Sequence, residues 1–125
     1  IEISDFWSGI EGTYHALKTA LAPLANEVLC HFSHVYAQGT SLYVILVGEA
    51  EDAAAAEARI REIWQVAMRI CIERGIATSH HHGVGLARKP FIAEDQGSAM
   101  AVGQAIKSAL DPNNIMNPGK LGFAV

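Results

Sequence analysis

The residues of this chain best suited to chemistry are three consecutive histidines, His80, His81 and His82, which lie between Ser79 and the glycines Gly83 and Gly85. Imidazole titrates near neutral pH, so it can donate to a phosphate, carboxylate or carbonyl oxygen, or shuttle a proton. In an extended segment side chains alternate, so His80 and His82 share one side and His81 takes the other. Gly83 and Gly85 let the backbone turn sharply or approach a ligand closely. This combination suits a loop pressed against a flat cofactor or an anionic substrate. Two rival readings stay open. His-rich tracts bind metals, and His31 and His34 could supply the separated ligands that adjacent histidines lack. Alternatively, the histidines cap backbone groups and the loop is structural.

Tyr43 falls inside an apolar strand. There it either packs its ring and hydrogen-bonds its hydroxyl, or acts as an acid/base phenol close to the histidines. His34 is a core histidine or a substrate contact. Arg88 and Lys89, just after the glycines, are solvated charges or an anchor for an anion. Trp7 and Trp64 occupy helical positions and are assigned to the core. The chain has no nucleophile elbow, no P-loop and no complete dinucleotide fingerprint, since Gly83-Val84-Gly85 lacks a third glycine and the preceding βα unit.

These residues need elements to position them. Ser4 and Asp5 are suited to capping, and Ser8-Gly9-Ile10-Glu11 fits a capping box. Ile10, Tyr14, Leu17 and Leu21 then repeat at helical spacing until Pro23. Val28 to Tyr36 and Thr40 to Val47 read as a hairpin turning at Gln38-Gly39. A two-residue loop there pairs Tyr36 with Ser41 and His34 with Tyr43. His34, Tyr36, Ser41 and Tyr43 then share one polar-aromatic face, and Val35, Leu42, Val44 and Leu46 the other. A three-residue loop would instead set Ser33 opposite Tyr43. Asp52 to Arg74 is the clearest helix, with a stripe of Ala56, Ile60, Ile63, Ala67, Ile70 and Cys71, a Glu57–Arg61 pair outside, and Gly75 placed to terminate it. Ile76-Ala77-Thr78 reads as a short strand. A last helix is expected from Asp95 to Leu110, with Val102, Ile106 and Leu110 facing inward, followed by a turn-rich tail. The class that follows is α+β: two layers, a mainly antiparallel sheet with helices packed on one face.

The 125 residues suffice for one hydrophobic core, and half of them are hydrophobic against 18% charged. A net charge of −4 without a basic cluster argues against a nucleic-acid partner. Cys30 and Cys71 lie in apolar stretches without CxxC spacing and read as reduced thiols of a cytoplasmic protein. No stretch approaches the roughly 20 apolar residues of a membrane span, and Ile1-Glu2-Ile3-Ser4 lacks the features of a signal peptide. With no initiator methionine at its start, the chain is expected to have been cut from something longer.

Gly75-Ile76-Ala77-Thr78-Ser79-His80-His81-His82-Gly83-Val84-Gly85, then Arg88-Lys89, then Leu110-Asp111-Pro112-Asn113-Asn114-Ile115-Met116-Asn117-Pro118-Gly119-Lys120-Leu121 resembles the C-terminal end of FAD-linked oxidases of the vanillyl-alcohol-oxidase superfamily. The triple-histidine version is similar to that of the alkyldihydroxyacetonephosphate synthases and their bacterial homologues. The resemblance extends through His31-Phe32-Ser33-His34 and Ser41-Leu42-Tyr43. It implies that residues 1–125 are the C-terminal part of a substrate-capping domain over the flavin ring, with most of the FAD held by a separate N-terminal domain. It implies ether-lipid formation, in which a fatty alcohol replaces the acyl group of the substrate. By the same resemblance Tyr43 is the base, His81 and His82 join it in catalysis, His80, His81, His82 and Asn117 contact FAD, and His34 and Arg88 contact a small-molecule or lipid substrate. No metal is expected. A location peripheral to a membrane and a homodimer are compatible with it. The tail reads more like that of the bacterial oxidases, so a 2-hydroxy-acid dehydrogenase is the alternative, and a histidine-rich metal-binding module the third reading.

Overall fold

The computed structural model describes residues 1–123. It divides into two compact units, Ile1–Gly83 and the segment from Val84 onward. The first is α+β, as expected from the sequence. Its sheet has strands β1 (Glu2–Phe6), β2 (Glu27–Ser33) and β3 (Gly39–Val47), antiparallel in the order β1-β3-β2. Helix α1 (Ile10–Leu21) lies against all three strands, and helix α2 (Ala53–Arg74) packs on α1.

Strand β1 departs from the sequence expectation. Ser4 and Asp5 do not cap a helix; they are strand residues, paired with Ser41 and Thr40. Helix α1 begins after Gly9 with no side-chain cap. Asp5 instead accepts from the Phe6 amide at 2.7 Å and from Thr13 Oγ1 at 2.7 Å, tying β1 to α1.

The hairpin register also differs from both expected versions. Ser33 pairs with Ser41, Phe32 with Leu42 and His31 with Tyr43. The connection runs from His34 to Gln38, with His34 at φ 48. Gly39 is a strand residue rather than a turn residue. A Cβ there would stand 2.2 Å from the Asp5 carbonyl oxygen, so the close approach of β1 requires glycine. Val35 and Tyr36 consequently leave the sheet and are exposed.

Alternation sends Ile3, Leu42 and Val44 to the helix side, where they are buried with Ile10, Leu17 and Leu21 of α1 and Ile63, Ala67, Met68 and Cys71 of α2. Each large apolar side chain so buried contributes about 1.5–3 kcal/mol. In α2, Asp52 caps the first turn by accepting from the Ala55 amide at 2.7 Å, Gly75 terminates it at φ 65, and Arg61 Nε donates to Glu57 at 3.1 Å. The expected stripe is only partly covered. Ala56, Ile60 (55% exposed) and half-buried Trp64 line a groove of about 500 Å³ with Leu24 and Leu46. Trp7 is exposed rather than core; its Nε1 donates to the Tyr36 carbonyl. Cys71 is buried and Cys30 half-buried, and burial pushes the Cys30 thiol up. Ile76–Thr78 shrinks to a single bridge between Ala77 and Ser4.

The second unit carries helices α3 (Gly85–Arg88), α4 (Ile92–Gln96) and α5 (Ala99–Leu110). The single helix expected from Asp95 is broken at Gly97, whose φ of 51 no helix accommodates. Val102, Ile106 and Leu110 do not face inward: they are 63%, 56% and 77% exposed. The tail is organised by Asp111, whose carboxylate accepts from Lys107 Nζ and from the amides of Ile115 and Met116, each at 2.9 Å. The Lys107 ammonium, aided by those amides, holds the Asp111 carboxyl below the usual range against the opposing effect of burial. No helix among the described residues is long and apolar enough to cross a membrane.

Candidate active site

The face of the sheet away from the helices carries the polar alternates: Glu2 of β1, His31 and Ser33 of β2, and Ser41 and Tyr43 of β3. Register aligns Glu2, Tyr43 and His31 in one row across the three strands. The bridge between Ala77 and Ser4 delivers the chain to the end of this row, so the histidine loop begins beside Glu2.

Tyr43 Oη lies 2.6 Å from His81 Nε2. The His81 ring is also tilted against that of His34, 4.5 Å between centroids, and edge-on to that of His82, at 4.4 Å. The Tyr43 ring is 5.5 Å from that of His82 and 6.1 Å from that of His31. His34 therefore does stand by the loop, but not through the expected strand pairing. Its left-handed backbone turns the ring back over Ser41, whose Oγ lies 3.4 Å from His34 Nδ1.

Glu2 has no solvent exposure, and neither composition nor spacing marks it. An acidic residue near a chain start ordinarily reads as solvated, and only the strand alternation of Ile1, Ile3 and Asp5 around it hints at a face. Its Oε1 accepts from the His80 amide at 2.7 Å and its Oε2 from Ser79 Oγ at 3.1 Å. The same carboxylate faces His81 Nδ1 at 3.4 Å and His82 Nδ1 at 3.9 Å. Burial pushes its pKa up, but the His80 amide, the Ser79 hydroxyl and the two imidazoles outweigh it, leaving the group below the usual carboxylate range. Desolvation lowers the pKa of His81; Glu2 opposes this and the surrounding histidines add to it, so the net shift is downward. A neutral His81 near pH 7 is the form able to accept a proton.

Ligand-capable atoms of His34, His80 and His81, and of Glu2, His81 and His82, lie within 4.8 Å of one another. Hydrogen-bonding contacts already engage both His81 nitrogens, with Tyr43 on one side and His80 Nδ1 (3.0 Å) on the other, where the Glu2 carboxylate also stands at 3.4 Å. We therefore treat the cluster as a hydrogen-bond network. The imidazoles are exposed on an open face, as a flat ring to be covered would require. Gly83 and Gly85 lie in the left-handed region, at φ 71 and 57, and a Cβ at either would meet nothing within 4 Å, so backbone conformation rather than packing requires glycine there. An exposed row of imidazoles of this kind can donate to the edge of a flat ring laid on it. A shallow groove of about 220 Å³, lined by Phe6, Tyr36, Thr40 and Ala77 among others, borders His80.

Arg88 and Asn117 belong to the second unit. Arg88 is buried at the end of α3, and Asn117 is exposed with φ 47.

Comparison with known proteins bears on what this geometry does. Residues 2–121 match the family model described as FAD linked oxidases, C-terminal domain. An uncharacterized FAD-linked oxidoreductase, YgcU of Escherichia coli (strain K12), is 30% identical over 129 residues, covering 96% of this chain and 27% of the relative. The alkyldihydroxyacetonephosphate synthase of Trypanosoma brucei brucei is 32% identical over 118 residues, covering 86% of this chain and 19% of the relative. Glycolate oxidase subunit GlcD of Escherichia coli (strain K12) is 31% identical over 64 residues, covering 50% and 13%. The chain thus spans at most 27% of the length of these relatives.

Proposed function

The chain belongs to the family of FAD linked oxidases, C-terminal domain, and on that premise we propose that it is the substrate-capping wall of an FAD-dependent transferase, with Tyr43 and His81 as its acid-base pair. FAD is the cofactor of the family. When bound, FAD supplies an electrophilic, electron-accepting ring beside the substrate. This chain supplies the proton handling. A proton leaving a substrate carbon goes to Tyr43 Oη as the phenol's own proton passes to His81 Nε2, so Tyr43 needs no free phenolate beforehand. His80 and His82 are exposed alongside, able to donate to flavin or substrate oxygens, with His34 offered to an anionic group on the substrate; for Arg88, buried in the second unit, and for Asn117 the roles rest on the resemblance alone.

The reaction we propose is exchange of the acyl group of an acylated dihydroxyacetone phosphate for a fatty alcohol, forming an ether. The 2.6 Å contact between Tyr43 and the middle histidine carries this reading. Similarity to synthases of Trypanosoma brucei brucei, Dictyostelium discoideum and Caenorhabditis elegans, at 30–34% identity, supports it. Lipid substrates suit a cytoplasmic protein peripheral to a membrane, and the missing wall of the site is a separate FAD-binding domain. The similarity to YgcU and GlcD favours a second reading, an FAD-linked 2-hydroxy-acid dehydrogenase using the same pair on a substrate hydroxyl. The full-length flavoprotein decides between them. Ether product from acylated dihydroxyacetone phosphate and a fatty alcohol is the expected result. Anaerobic bleaching of the flavin by lactate or glycolate, with no ether formed, would replace it with the second.

A further inference from the structure

We infer that Glu2 is a positioning residue for this site: it holds His81 in the tautomer whose Nε2 accepts from Tyr43, and it compensates the charge when His81 takes the phenol's proton. This rests on Tyr43 and His81 being the acid-base pair, and it adds a member that the histidine motif does not contain.

Three observations converge on Glu2. The β1–β3 register sets it directly opposite Tyr43, so both side chains rise from the same face. Its carboxylate is fully buried although most of its neighbours on that face are exposed. A buried carboxylate persists only where donors satisfy it, and here they include the His80 amide and the Ser79 hydroxyl. Those two bonds clamp the start of the histidine loop. They leave carboxylate lone pairs toward His81 Nδ1 at 3.4 Å, on the side of the ring opposite Tyr43.

The tautomer follows from what surrounds that nitrogen. His81 Nδ1 faces two acceptors, the Glu2 carboxylate and a His80 Nδ1 (3.0 Å) able to accept, so the ring proton belongs on Nδ1. Nε2 then carries the lone pair that Tyr43 Oη–H meets at 2.6 Å. The order carboxylate, imidazole, hydroxyl is the arrangement by which an acid behind a histidine selects its tautomer and stabilises its cation. The other titratable groups facing His81 are Tyr43 from β3, His34 from the β2–β3 connection, and His80 and His82 from its own loop, with His31 of β2 beyond Tyr43. Among these and Glu2, the carboxylate alone carries a negative charge near pH 7.

A merely structural Glu2 would need only to bind the His80 amide and the Ser79 hydroxyl, and glutamine can do both, its oxygen accepting from the amide and its NH2 donating to the Ser79 oxygen. E2Q therefore separates the two roles. In the full-length flavoprotein labelled with ¹⁵N-histidine, His81, identified by loss of its signal in H81Q, should appear as the Nδ1–H tautomer. E2Q should populate the Nε2–H form and lower kcat/KM about 10- to 100-fold. It should also move the acid limb of the pH profile to lower pH, because removing the carboxylate makes His81 harder to protonate. E2D, which keeps the charge, should restore part of the loss. Should E2Q fail to fold, the wild-type spectrum still decides, since an Nε2–H tautomer there overturns the inference. An unmoved acid limb and an unchanged tautomer in folded E2Q overturn it as well, while leaving the acid-base pair standing. Full turnover by Y43F and H81Q would instead remove the pair itself.

Discussion

The two faces of the sheet are written by alternate residues of the same three strands, and they do opposite work. On one side Ile3, Leu42 and Val44 are buried among the apolar side chains of α1 and α2. On the other, Glu2, Tyr43 and Ser41 stand one residue away along the chain in a network that reaches the histidine loop. Buried apolar surface is concentrated on the first face and titratable side chains on the second. The link between them is backbone register, since a slip of one residue in β1 or β3 would exchange the faces.

The largest test of that division is Tyr43→Phe in the full-length enzyme. Loss of the hydroxyl should cost about 10²- to 10⁴-fold in turnover, the usual worth of a positioned acid or base. The denaturant midpoint should hardly move, because the ring stays and only one half-exposed hydrogen bond is lost. Leu42→Ala, the neighbouring residue on the covered face, should do the reverse. Truncating a fully buried leucine costs about 2–5 kcal/mol, while turnover per folded molecule should stay unchanged. If Leu42→Ala lowers turnover as much as Tyr43→Phe does, the faces are not independent and the comparison fails.

Much of the covered face was legible in the sequence, and the open face only in part. Helical spacing located α1 and α2, and Leu42 and Val44 were placed on the buried side even though the register was wrong. Their parity in β3 is enough for that, whatever strand they pair with. The open face depends on long-range placement. Gly39 looks like a hairpin turn, yet it is glycine because the β1 backbone passes too close for a side chain. With Gly39 inside the strand, His31 and not His34 stands opposite Tyr43. His34 reached the site through a left-handed φ that no pattern of residue types announces. Glu2 left no sequence signal because a buried acid is recognisable only from its donors, and these come from residues 79 and 80. The stripe of α5 shows the same contrast from the other side: periodicity identifies an apolar face, yet Val102, Ile106 and Leu110 stay more than half exposed, the last two in a groove shared with Met116 and Leu121.

A pH series sharpens the contrast at intermediate size. Glu2 titrates below the usual carboxylate range in the folded chain. A carboxylate with a depressed folded pKa contributes stability that is present above its unfolded value and lost as pH falls through the folded one. The wild-type denaturant midpoint should therefore fall further than that of E2Q between about pH 5 and about pH 3. Leu42→Ala should run parallel to wild type across the same interval, offset by a constant. Equal slopes for wild type and E2Q would mean that the open face adds nothing to acid sensitivity.

The smallest expected effect concerns the layer that serves only the covered face. Asp52 caps α2 by accepting from the Ala55 amide and is exposed. Asp52→Ala should cost about 1 kcal/mol, as loss of a helix N-cap usually does. Helix α2 supplies Ile63, Ala67, Met68 and Cys71 to the core, while the Tyr43–His81 contact and the Glu2–His80 bond are made between the sheet and the histidine loop. Loosening its first turn should then leave kcat, KM and the acid limb where they are. A changed acid limb in D52A would show that helix packing sets the geometry of the histidine loop, and that one side of the sheet tunes the chemistry of the other.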